Sequence, residues 1–174
     1  YVAKGGNDSN AGLHQNNPVL TITKALTLAT AGDTIHIYPG DYVEVFPMTI
    51  PAGVTVKGHS MRTVNITPTA GTNNNDAFLL NGEVTVEDLT VKDFFFNSGA
   101  NEGYAFKFAT NITVTSRSPY IRNVTVITAG SVVSSGDPRG FDQGDAGKGA
   151  YLDGQSAHST SKEAGCLFHA VTFI

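Results

Sequence analysis

From Asp33 onward the apolar residues alternate with polar ones. "DTIHIYPGDYVEVF" (33–46) keeps a period of two on both sides of Pro39-Gly40 and predicts two short strands. "GVTVKG" (53–58), "TVNITP" (63–68) and "AFLLNG" (77–82) continue the alternation, each closed by glycine, proline or asparagine. The gaps between them are too short for helices, and Asn-Gly hairpin signals are few. Upstream the period is different. In "VLTITKALTLATAGD", Leu20, Ala25, Leu28 and Ala29, with Ile22 and Leu26 alongside, predict one face of a short amphipathic helix. Pro18 is placed at its start and Gly32 at its stop. Residues 1–18 read as a short strand followed by a Gly/Asn loop.

The alternation also repeats on a larger scale. "VEDLTV" (86–91), "IRNVTV" (121–126) and "FHAVTF" (168–173) share the pattern apolar-x-x-apolar-Thr-apolar, at spacings of 35 and 47 residues. Each follows a second recurring strand: "AFLLNG" (77–82), "YAFKFA" (104–109) and "GAYLDG" (149–154). Val-Thr-Val arises by chance in β-rich chains, but the paired order favours a solenoid whose length variation lies in loops. Coils about 4.8 Å apart would stack Ile, Val, Leu and Phe into inward columns, Leu89, Val124 and Val171 in one of them, with Thr and charged residues outside. The helix would cover the open first coil and block edge pairing.

Composition fits this picture. The 174 residues suffice for one domain with a real core, at 40% hydrophobic and 15% charged. Nineteen glycines, twenty threonines and no tryptophan indicate a β-rich chain with many turns. A net charge of −4 argues against nucleic acid. The single Cys166, in "GCLFHAV", excludes a disulfide framework and a Cys-based zinc site. No apolar run is long enough for a membrane span, and no signal peptide is evident. The start at Tyr1 and the stop inside a strand pattern lead us to expect a piece of a longer polypeptide.

"YVAKGGNDSNAG…VLTITKALTLATAGDTIHIYPGDYVE" (1–44) resembles the first segment of right-handed parallel β-helices of the pectin-lyase-like superfamily. The remainder, from "GHSMRTVNITP" through "DPRGFDQGDAGKGAY" to "KEAGCLFHAVTF", resembles large structural proteins of tailed phages that infect marine cyanobacteria. These resemblances imply an all-β, right-handed parallel β-helix with a short N-terminal capping helix. The implied setting is a tail fibre, tail spike or similar appendage of a virion, as a homotrimer beside other virion subunits, contacting host-surface glycans. The expected organisation is 1–32 as strand, loop and capping helix, and 33–174 as coils incomplete at the C-terminus.

The superfamily includes lyases and glycoside hydrolases, so catalytic groups must be sought. A hydrolase needs two carboxylates facing each other, roughly 5–9.5 Å apart. In the repeat alignment Asp88 stacks with Asn123 and Ala170, and Glu87 with Arg122 and His169, so neither column pairs carboxylates on neighbouring coils. Asp76, Glu83 and Asp93 are expected singly near turns. Arg122 could serve as a lyase base but has no acidic cluster in register. "DPRGFDQGDAGKGAYLDG" (137–154) fails the P-loop pattern, since Gly149 follows Gly147-Lys148 and Asp142 holds the first glycine's place. It also fails the EF-hand pattern, leaving only an irregular calcium loop from Asp142, Asp145 and Asp153. Arg139, Phe141, Asp142, Gln143, Asp145 and Lys148 offer a glycan or partner contact; a loop pinned by glycines and ion pairs is the plainer alternative. No cofactor is expected. His36 should face outward, and none of His14, His36, His59 and His158 pairs with another histidine at metal-ligand spacing. "DFFFNSGANEGYAFKF" (93–108) is expected to fill a core or subunit interface. The sequons at Asn65, Asn111 and Asn123 lie in or beside strands.

Overall fold

The period of 3.6 upstream of Asp33 becomes a single helix in the computed structural model, α1 (Ile22–Leu28). The structure describes residues 1–73, 75–94, 104–108, 119–128 and 167–173. α1 starts later than Pro18 because Thr21 is its N-cap, its hydroxyl accepting from the Lys24 N–H. Val19 instead forms a parallel bridge with Val2, which also bridges Ile37. Ile22, Ala25 and Leu26 are buried, whereas Leu28 is 43% exposed, so the apolar face is narrower than its spacing predicts.

Among the described residues every other element is a strand, and every strand pairing is parallel. A first rung holds β1 (Thr34–Ile37), β2 (Gly40–Glu44) and β3 (Met48–Ile50). β4 (Thr55–Gly58), β5 (Val64–Pro68) and β6 (Phe78–Leu80) lie on these in the same order. β7 (Thr85–Phe94) pairs with both β4 and β5, and β8 (Phe106–Phe108) with β6. β9 (Tyr120–Thr128) lies on β7, and β10 (Leu167–Phe173) on β9. From Asp33 onward the predicted strands within the described residues are present, and β3, a run of three residues, is additional; the strand expected at the start of residues 1–18 is reduced to isolated bridges at Val2.

Register turns the alternation into core columns. Ile35, Val56, Val86 and Ile121 stack inward, as do Met48, Phe78 and Phe106, with the two phenyl rings parallel at 5.5 Å. Leu89, Val124 and Val171 share a column as their repeat position requires. No helix among the described residues is long and apolar enough to cross a membrane.

One corner is sharpened by backbone conformation. Between β4 and β5 the chain makes an excursion over 59–63, but in the next rungs the corner shrinks to one left-handed residue. Asp88 (φ 60°), Asn123 (φ 50°) and Ala170 (φ 53°) hold this position in successive rungs. Asp and Asn tolerate it best after glycine because their short polar side chains bond locally. Here Asn123 Nδ2 donates to Asp88 Oδ1 at 3.0 Å.

Inward charge departs from the expected pattern. Glu44 and Asp76 are buried, at 3% and 4% exposure. Glu44 points to the open end of the first rung, where its carboxylate accepts from the Ile22 and Thr23 N–H groups and the Thr23 hydroxyl. Asp8 accepts from the Leu20 and Thr21 N–H groups and the Thr21 hydroxyl. The start of α1 is thereby clamped by two carboxylates, Asp8 on Leu20 and Thr21 and Glu44 on Ile22 and Thr23.

Candidate functional site

Among the described residues a cluster of titratable side chains lies on the outer face of the large sheet. Parallel register places His36, Lys57, Glu87, Arg122 and His169 in one column, one residue per rung. The Glu87–Arg122–His169 order is the one the repeat predicts. Lys57 completes it from below, a step missed because β4 lacks the apolar-x-x-apolar-Thr-apolar pattern.

Glu87 is only 5% exposed although it faces outward, because the two cations cover it. Lys57 Nζ lies 2.6 Å from Oε1, and Arg122 Nε donates to Oε2. Lys57 also reaches Asp88 at 3.7 Å. Burial pushes the Glu87 carboxyl pKa up, but the hydrogen bonds and charges of Arg122 and Lys57 outweigh it and hold the group below its ordinary 4.5. Glu87 in turn raises Lys57, chiefly through their hydrogen bond, with Asp88 adding to it and Arg122 opposing it. A carboxyl in this state is a permanent anion at neutral pH and a poor general acid. Arg122, held by Glu87 and lying 5.8 Å over the Tyr120 ring, is equally ill-suited to act as a base.

The sign of this shift fixes a pH dependence. A depressed folded pKa contributes stability that is present above about pH 4.5 and is lost as pH falls through the folded value. Asp8 acts in the same direction below its ordinary 3.8, where burial is outweighed by the hydrogen bonds from Thr21 and Leu20. We expect Glu87→Gln to cost about 1–2 kcal/mol at neutral pH, discounted because Lys57 and Arg122 are partly solvated. Thermal unfolding followed from pH 7 to 3 should show a shallower acid limb for the variant.

At the base of the column the Tyr1 ring stacks on His36 at 5.3 Å, so His36 faces outward as expected. Beside the column, the 59–63 excursion covers Thr90, whose hydroxyl donates to the Met61 carbonyl at 2.6 Å. On the smaller sheet, Asp76 accepts from the Tyr104 N–H at 2.9 Å and lies 3.5 Å from Lys107. The spacing of single acidic residues foresaw neither its burial nor that partner. Phe94 and Phe106 of the aromatic stretch are core residues, in line with the expectation for them. Among the described residues no group of three His, Cys, Asp or Glu side chains could hold a metal ion.

Arg139, Phe141, Asp142, Gln143, Asp145 and Lys148, with Asp153, lie outside the described residues. So do "GAYLDG", Asn111 and His158.

With this geometry in hand, comparison with known families finds one similarity. Residues 4–63 match a family described as "Protein of unknown function (DUF1565)", which is associated with β-helix proteins. No curated protein and no solved structure matches the chain. The matched segment contains Asp8, Thr21 and Glu44, the residues that fasten α1 to the first rung, and extends through β4.

Proposed function

We propose that the chain is a non-catalytic, right-handed parallel β-helix module, a rigid structural element of a virion appendage such as a tail fibre or spike. One observation carries the non-catalytic part. The column that gathers charged side chains sets one buried carboxylate between two cations, where hydrolysis would require a second carboxylate with a raised pKa. Parallel rungs in continuous register suit a shaft, because backbone hydrogen bonds and apolar columns repeat along one axis. The virion setting and a homotrimeric state rest on the resemblance of the stretch from "GHSMRTVNITP" to "KEAGCLFHAVTF" (58–173) to phage structural proteins. The 137–148 segment is then the place for a host-glycan contact through Arg139, Phe141, Asp142, Gln143, Asp145 and Lys148.

The competing proposals are a polysaccharide lyase or glycoside hydrolase of the same fold, and a bacterial surface adhesin. Incubation with acidic and cyanobacterial polysaccharides, followed by reducing-end and unsaturated-product absorbance, separates the first. The module should give no product, and turnover that disappears in Glu87→Gln would establish the enzyme instead. Deleting 137–148 should abolish glycan binding while leaving the unfolding midpoint within a few degrees. Sedimentation should show a trimer. Peptides of the chain should be found in purified phage particles, and their presence in a bacterial surface fraction alone would favour the adhesin.

A further inference from the structure

Met61, in the 59–63 excursion, reaches past the neighbouring rung. The ends of the excursion are fastened downward, the His59 N–H to the Ile37 carbonyl at 2.9 Å and the Thr63 carbonyl to the Gly40 N–H at 2.8 Å. Its middle is fastened upward. The Met61 carbonyl accepts from the Thr90 hydroxyl on β7 at 2.6 Å, and the Met61 sulfur accepts from the Thr125 hydroxyl on β9 at 3.8 Å. Thr90 and Thr125 are partners in register, so Met61 spans one outward threonine column from β7 to β9. Met61 and Thr125 are half-buried and within reach of small solutes. The other methionine, Met48, is 2% exposed inside a core column. A thioether is a weak acceptor and an oxidisable one. A hydrogen bond from a hydroxyl to an oxygen spans about 2.7–2.8 Å. The 3.8 Å between Thr125 Oγ1 and Met61 Sδ therefore leaves room for an oxygen bonded to sulfur, set off the line between them.

We propose that Met61 is an oxidation site for peroxides, and that Thr125 captures the resulting sulfoxide and so latches the excursion to β9. The sulfur lone pair on the Thr125 side attacks the peroxide, and the S–O bond forms as the O–O bond breaks. Sulfur gives up two electrons. With hydrogen peroxide, the proton of the transferred oxygen passes to the departing hydroxide, which leaves as water. The Thr125 hydroxyl donates to the incoming oxygen and places it on that side of the sulfur. Oxygen added on one side gives one of the two sulfoxide epimers. The sulfoxide oxygen accepts more strongly than the sulfur did, so a weak contact becomes a full hydrogen bond between β9 and the excursion. Methionine oxidation ordinarily disrupts packing, because it makes an apolar side chain polar. Here the new oxygen lies outside the core and meets a donor already in place.

The test treats the folded chain with dilute hydrogen peroxide and follows both methionines by peptide mass. Met61 should be oxidised roughly tenfold faster than Met48. After digestion, the Met61 sulfoxide is offered separately to the two classes of methionine sulfoxide reductase, each specific for one epimer. One class should reduce about nine-tenths of it. In Thr125→Val that share should fall to about half, and in Thr125→Ser the bias should persist. The unfolding midpoint of the oxidised parent should rise by about 2–4 °C, and that of oxidised Thr125→Val should not. Met61→Leu, treated alike, controls for oxidation at Cys166 and should show no rise. Equal amounts of the two epimers in the parent, an undiminished bias in Thr125→Val, or a lower midpoint after oxidation would overturn the proposal. So would an equal rise in Met61→Leu.

Discussion

Replacing Gly58 by alanine is expected to destabilise the chain by about 3 kcal/mol, among the larger effects of any single methyl group here. A Cβ at this position would sit 2.1 Å from the Asp88 carbonyl oxygen and 2.9 Å from its carbonyl carbon. Neither atom can turn aside, since both belong to the backbone of the next rung. The carbonyl comes so close because Asp88 is in the left-handed region at the sharpened corner. Relief would need β7 to lift off β4, and the Glu87 ion pair with Lys57 would loosen with it. Equilibrium urea unfolding should show the loss, and the thermal midpoint should fall by about 6–12 °C. Gly5→Ala is the control. A Cβ there meets nothing within 4 Å, so its effect should stay within about 0.5 kcal/mol.

The contrast between these two glycines shows where sequence reasoning stops. Gly58 closes "GVTVKG" and reads as a strand-ending glycine, like Gly82 in "AFLLNG". Its actual constraint comes from a residue thirty positions later, through a corner that tightens only from β7 onward. What was legible is what depends on local period. Inward columns follow from two-residue alternation, and the stacking of Leu89 with Val124 and Val171 from a repeated apolar-x-x-apolar-Thr-apolar pattern. Side-chain partners across rungs were only half legible. Glu87 with Arg122 came from aligned repeats, but Lys57 sits in a strand outside the repeat, so the cation that completes the burial of Glu87 was not seen. Leu28 was misjudged for a related reason. Periodicity marks an apolar face of α1 without knowing where the first rung ends, and Leu28 projects past that edge.

The Glu87 column and the clamp stabilise different joints of one structure. The column fastens rung to rung on the outer face, so removing its central anion frees Lys57 and Arg122, two partly exposed cations that water can solvate. The clamp fastens a helix to the mouth of the stack, where the Ile22 N–H that Glu44 serves is buried and its Thr23 bonds are partly so. The buried Ile22 donor, which water cannot satisfy in place of Glu44, makes the clamp the more sensitive of the two.

Glu44→Ala should therefore cost about 3–4 kcal/mol, well above the effect of Glu87→Gln. Glu44 is 3% exposed and serves three donors, the Ile22 N–H at 2.7 Å, the Thr23 N–H at 3.0 Å and the Thr23 hydroxyl at 2.6 Å. Its removal leaves the first N–H groups of α1 facing an empty space instead of an anion at the positive end of the helix. Burial, with the nearby Glu44 carboxylate adding to it, pushes the Tyr42 phenol up to about 12. The alanine variant should lower that phenol's titration midpoint, which absorbance at alkaline pH can follow. Glu44→Gln should lose about half as much stability, because its amide retains one acceptor oxygen but turns NH2 toward a remaining donor. Asp8→Ala, on the more exposed side of the clamp, should cost about 1–2 kcal/mol. Hydrogen exchange should locate the damage. The Ile22, Thr23 and Ala25 amides should lose protection in Glu44→Ala while Val91 and Val124, in the middle of the stack, keep theirs. With α1 released, the open end of the first rung loses its cover, and the variant should aggregate at concentrations where the parent chain stays dispersed. Equal loss of protection at α1 and in β7 would mean that the cap and the rungs unfold as one unit, and the clamp would then be no more than one core contact among many.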